Sequence, residues 1–117
     1  MKKDELFWLQ NAQEHLEILE GHLKSGSLDR QVVLDAACLR LASCIEELAG
    51  LTVTRREEYF GDKWHAMWSF RNRVAHAYFN IDDDIAKATI THDVPVLKLE
   101  IEEAIRTLSK PPSSESP

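Results

Sequence analysis

Along most of this chain the apolar residues recur at alternating steps of three and four, the period of a helix with one buried face. Leu9, Ala12, Leu16, Leu19 and Leu23 mark the first stripe. Asp4 stands where an N-cap is needed, and Ser25-Gly26-Ser27 closes the helix. A second helix is predicted from about Asp29 to Ala49, with Gly50 just past its C-terminus. Val33, Ala37, Leu41, Cys44 and Leu48 form its main stripe. Val32, Ala36, Leu39 and Ile45 widen the apolar surface beyond one face, which places this helix at the centre of the fold or in a subunit interface.

Residues 52–62 are polar, with room for a short helix, and close at Gly61-Asp62. Asp62 is placed to cap a third long helix, from Lys63 to about Ala77, whose apolar positions are Trp64, Met67, Trp68, Phe70 and Val74. Asn80-Ile81-Asp82-Asp83-Asp84 then breaks the pattern and supplies caps for the next helix. Ala86, Ile90, Val94, Leu97, Ile101, Ala104 or Ile105, and Leu108 carry the last stripe, and Pro95 interrupts it. With Asp93 as N-cap, Pro95 falls in the permissive first turn of a new helix, so a break is expected near 91–94. Strand-like alternation and internal repeats are absent. The reading is all-α, one domain over residues 1–110. A tail of residues 111–117, without core residues, is expected to be disordered.

Composition changes this picture little. The chain has 117 residues, 44% hydrophobic and 29% charged, ordinary for a single globular domain. No apolar run approaches the roughly 20 residues that span a bilayer, and no secretory signal is evident at the start. The expected compartment is the cytoplasm, with no membrane partner. A net charge of −6 argues against a general nucleic-acid coating protein but leaves room for a local basic site. Cys38 and Cys44 lie about 120° from eclipsed on a helix, which suits two small core residues better than a disulfide or a shared metal. Asp82-Asp83-Asp84 lacks the glycine and distant glutamate of a calcium loop and reads as a capping cluster. His15, His22, His65 and His92 show no metal-ligand spacing. Trp64 and Trp68 read as packing.

The chemistry is concentrated in Phe70-Arg71-Asn72-Arg73-Val74-Ala75-His76-Ala77-Tyr78. His76 is the side chain best suited to moving protons near neutral pH, and Arg71 and Arg73 are permanently charged forks that fit phosphate oxygens. Helix geometry splits the run. Arg71 and His76 are about 140° apart. Arg71, Val74 and Tyr78 share one face, and Asn72, Arg73 and His76 share another. For Arg71 and His76 to meet at one phosphate, either the helix ends or bends near His76, or two copies of the segment meet across a two-fold axis.

Arg71, four residues, His76, one residue and Tyr78 reproduce the Arg-x4-His-x-Tyr signature of the HepT-like toxins, in the HEPN (higher eukaryotes and prokaryotes nucleotide-binding) superfamily. The resemblance continues in Asp29-Arg30 opening a long apolar helix and in Trp64 ahead of Phe70-Arg71-Asn72. It also includes the run Tyr78-Phe79-Asn80-Ile81-Asp82 and Thr91-His92-Asp93-Val94-Pro95 before the last helix. It covers roughly residues 5–108. Val74-Ala75 stands where Leu-Val is frequent in that family, and its acidic position on the second helix corresponds to Glu46 or Glu47.

The resemblance implies a HEPN-like bundle of about four to five helices, paired as a homodimer with the motif at a cleft between subunits. It also implies a metal-independent RNA endonuclease with no cofactor, the toxin of a toxin–antitoxin pair. The implied antitoxin is an MntA-type nucleotidyltransferase that transfers AMP to Tyr78. In such a site His76 would be the general acid or base and Arg71 would stabilise transition-state charge. Asn72 and Arg73 would position phosphate, and Tyr78 would aid RNA binding and be the modification site. The competing reading is a non-catalytic nucleotide-binding or adaptor subunit of a nucleotidyltransferase complex.

Overall fold

The computed structural model describes residues 4–109; the tail expected at 111–117 lies outside them. Every regular element among these residues is helical. Helix α1 (Glu5–Ser25) starts where the Asp4 carboxylate accepts from the Phe7 amide at 3.0 Å. It buries the Leu9, Ala12, Leu16 and Leu19 stripe. A short turn leads into α2 (Gln31–Leu48), and the two form a hairpin.

Helix α2 is the hub of the fold. It packs on α1, α4 and α5, and its expected main stripe is buried together with Leu34, Cys38 and Ile45. Val32 and Leu39, part of the wider surface, stay exposed at 62% and 59%. Both cysteines are buried there as core residues.

After α2 the chain turns at Gly50. A Cβ on Gly50 would lie 2.2 Å from the Trp8 ring, so glycine lets α1 and the end of α2 approach closely. Thr52 caps α3 (Val53–Phe60), its hydroxyl accepting from the Arg55 amide at 3.2 Å. Gly61 leaves α3 with φ +57, the left-handed region glycine tolerates. The next helix, α4 (Lys63–Ala77), occupies the predicted span. Asp62 precedes it but makes no side-chain cap bond, contrary to expectation; its backbone is already helical, whereas a capping side chain needs an extended one.

A 3₁₀ turn (Tyr78–Asn80) ends the motif. Asp82 then caps α5 (Asp83–Ala88), accepting from the Asp84 and Ile85 amides at 2.8 and 3.3 Å. The break expected near 91–94 does not occur. A π-helical turn (Thr89–Asp93) joins α5 directly to α6 (Val94–Ser109), and Asp93 lies inside it rather than capping a new helix. A proline inside a helix clashes with the carbonyl four residues back. The wider π turn accommodates Pro95 without ending the helix.

Candidate functional site

The motif segment sits on the last two turns of α4 and on the 3₁₀ turn behind it. Its two faces part as helix geometry requires. Arg71 and Tyr78 turn toward α2, while Arg73 and His76 are exposed.

Three groups hold the Arg71 guanidinium. It pairs with the Glu46 carboxylate on α2, donates to Asn72 Oδ1 at 3.1 Å, and lies over the Trp68 ring at 4.9 Å. The arginine side chain is 22% exposed and that of Glu46 58%, so the pair opens to solvent at the carboxylate. Glu47 turns the other way. It accepts from Asn11 Nδ2 at 3.1 Å and lies 4.0 Å from His15. Of the two acids that the sequence left as alternatives beside the motif, Glu46 is the one that meets it.

Trp68 belongs to an aromatic ladder. It stacks on Trp64 at 5.8 Å, and Trp64 stacks on Phe60 at 6.3 Å. Arg56 covers Trp64 as Arg71 covers Trp68, a cation–π pairing at each rung. The tryptophans are therefore packing that backs the arginine, as expected.

Tyr78 is half-buried and anchored on α2. Ala77 leaves helical geometry at φ −150, ψ 36, and the phenol turns in against α2. Its hydroxyl donates to Asp35 Oδ1, which also accepts from Gln31 Nε2 at 2.7 Å. The Cys38 thiol lies within hydrogen-bonding reach of the phenol. Burial, with the Asp35 bond added, holds the phenol well above its ordinary pKa. Burial also pushes the Cys38 thiol up to about 11, partly offset by the bond to Tyr78. Asp35 was not singled out from the sequence. The signal was there: it is a carboxylate set among apolar residues in the most apolar helix, between Leu34 and Ala36.

His76 occupies the final turn of α4. The helix runs one residue beyond it, so its end does not bring His76 onto the Arg71 face. Arg73, on the same exposed side as His76, stands at one wall of a groove of about 470 Å³ between α4 and the α5–α6 segment. Phe70, Met67, Ile81, Ile85 and Val96 are among its apolar lining.

The folded chain thus contains a long helical hairpin, a motif helix packed across it, and a clamped arginine one turn from an exposed histidine. The model of the family described as "Ribonuclease HepT-like" matches residues 9–104. The chain belongs to the HepT-like ribonuclease family. The match takes in every residue of the motif and the carboxylates Asp35 and Glu46 that engage it. No solved structure matches the chain. Like the sequence reading of this HepT-like chain, the structure is all-α. Among the described residues, no three His, Cys, Asp or Glu side chains gather where they could hold a metal ion. No described helix is long and apolar enough to cross a membrane.

Proposed function

We propose that this HepT-like protein is the toxin of a toxin–antitoxin pair and cleaves RNA as a homodimer, without metal, using Arg71 and His76. The observation that carries the reading is the Arg71 clamp. Glu46, Asn72 and Trp68 fix a guanidinium fork on the helix whose last turn presents His76, in a chain of ribonuclease family. A fixed cation costs little reorganisation when charge develops on a phosphorane-like transition state.

The chemistry would be transesterification. The ribose 2′-oxygen bonds to phosphorus, the bond from phosphorus to the 5′-oxygen breaks, and a 2′,3′-cyclic phosphate remains. The 2′-hydroxyl proton leaves to a base and the departing 5′-oxygen takes one from an acid. His76 serves one of these roles. Arg73, exposed on the same arc as His76, steers the neighbouring backbone phosphate, and Asn72 acts through its bond to Arg71.

Because α4 keeps Arg71 and His76 on different faces, the reading needs two copies of the motif at one cleft. Exposed Val32 and Leu39 support this. At spacings of three, four and seven they share a face of α2 with Asp35 and Glu46, the partners of Tyr78 and Arg71. A second copy seated there would bury apolar surface and bring a second set of cations to the first. Light scattering should return twice the 13.4 kDa chain mass; a monomer that still cleaves RNA would refute the shared cleft.

The antitoxin in this reading is an MntA-type nucleotidyltransferase that transfers AMP to Tyr78. Purified chain should cleave RNA in EDTA and stop when its partner and ATP add an AMP mass to Tyr78. A wild-type chain that binds the nucleotidyltransferase but cleaves no RNA would instead be its adaptor subunit.

A further inference from the structure

Resting on the proposed modification of Tyr78, we infer that Asp35 is a positioning residue that seats the free phenol against α2 and rejects the modified one, so that modification silences the site by displacing the end of the motif helix. The inference starts from the kind of bond in that seat. A carboxylate oxygen can only accept, and the phenol holds Asp35 by donating. The same Asp35 oxygen is already used by Gln31 at 2.7 Å.

Nucleotidyl transfer removes the feature on which the seat depends. The phenolic oxygen attacks the α-phosphorus of a nucleoside triphosphate. The new oxygen–phosphorus bond forms, the bond to the β-phosphate oxygen breaks, pyrophosphate leaves, and the phenolic proton passes to solvent. The aryl phosphodiester oxygen has no hydrogen to donate. Returned to α2, it would set acceptor against acceptor and a phosphate charge against a carboxylate, in a half-buried site where screening is weak.

The seat is bounded on its inner side by Cys38, which has no exposed surface. The added phosphate therefore stays on the Asp35 side, and repulsion from that carboxylate swings the modified ring out. The backbone leaves helical geometry at Ala77, and this directs the ring at 78 into the seat on α2. His76 is two residues away, on the last turn held in place by that anchor. Phe79, 98% exposed, offers no second one.

The test needs neither RNA nor the antitoxin. Tyr78→phosphotyrosine, installed by amber suppression, reproduces the loss of the donor and the gain of charge. The readout is the rate at which Cys38 reacts with a thiol reagent, assigned by peptide mass because Cys44 is buried separately. Cys38 should label at least about tenfold faster with phosphotyrosine at 78 than in the unmodified chain, because the opened state becomes the populated one. Combining phosphotyrosine with Asp35→Asn, whose amide carries no charge and can donate, should return labelling to within about threefold of the unmodified rate. Slow labelling of the phosphotyrosine protein would overturn the expulsion. Fast labelling that Asp35→Asn leaves unchanged would overturn the role of Asp35 and leave crowding as the cause. The reading that Tyr78 is modified fails separately, if co-expression with the nucleotidyltransferase adds no mass to it.

Discussion

Glu46 on α2 and Arg71 on α4 form an ion pair that neutralises the best-held cation of the motif. An RNA phosphate bound to Arg71 therefore competes with a carboxylate that is more than half exposed. The pair contributes little to stability, on the order of 0–1 kcal/mol for a solvent-open partner. Glu46→Gln should leave the melting temperature almost unchanged and tighten RNA binding several-fold at low salt. The gain should shrink as salt rises, since it is electrostatic. Fluorescence anisotropy across a salt series measures this; weaker binding by Glu46→Gln would make Glu46 a support for Arg71 and not its competitor.

The motif residues should separate by kinetics. His76→Ala should lower the single-turnover cleavage rate by about 10²–10⁴-fold while RNA affinity changes little. Arg71→Ala should weaken both affinity and rate, because the cation acts in the ground state and more strongly in the transition state. Arg71→Lys should restore only part, since an ammonium cannot reproduce the planar fork. Equal losses in affinity and rate for His76→Ala would place the imidazole in binding and not in proton transfer.

Tyr78→Phe keeps the ring and removes the hydroxyl that reaches Asp35. It should fold, lose about 1 kcal/mol with the hydrogen bond, retain partial activity, and escape neutralisation on co-expression with the nucleotidyltransferase. Growth of the co-expressing strain is the measurement. Growth as full as with the wild-type chain would mean that neutralisation does not depend on the Tyr78 hydroxyl.

Two glycines should respond in opposite senses. A Cβ at Gly50 would sit inside the Trp8 ring contact at 2.2 Å, so Gly50→Ala must displace a packed indole. It should cost about 1–3 kcal/mol. Gly21 lies within α1, and a Cβ added there would meet nothing within 4 Å, so Gly21→Ala should stabilise by about 0.5–1 kcal/mol. Urea midpoints of the two variants against the wild type decide both.

Stability should fall at alkaline pH. The Cys38 thiol titrates at about 11 in the fold against an ordinary 9.0, and the Tyr78 phenol is also raised. For a raised acid the folded state holds the proton longer, so its contribution is complete below the unfolded pKa and lost as pH climbs toward the folded one. The Cys38 part should therefore be intact at pH 8 and decline from about pH 9 to about pH 11. Urea midpoints measured across that range should drop, and Cys38→Ala should flatten the slope.

The sequence by itself determined the helices, because apolar period and caps are local properties. The stripe of α1, the buried row of α2 from Val33 to Leu48, and α4 from Lys63 to Ala77 all stand where the pattern placed them. It also determined which motif residues share a face, since a helix imposes about 100° per residue. The Pro95 break failed because periodicity sees a proline as a stop. A π turn that absorbs it depends on Ile90, Val94 and Leu97 staying in the core on either side. The partners of the motif were beyond the sequence as well. Asp35 and Tyr78 are 43 residues apart, and Glu46 and Arg71 are 25 apart. Which acid meets which donor depends on how α4 lies across α2, and that angle is set by packing of the whole core. Only the tertiary structure could choose Glu46 over Glu47 and bring Asp35 to the phenol.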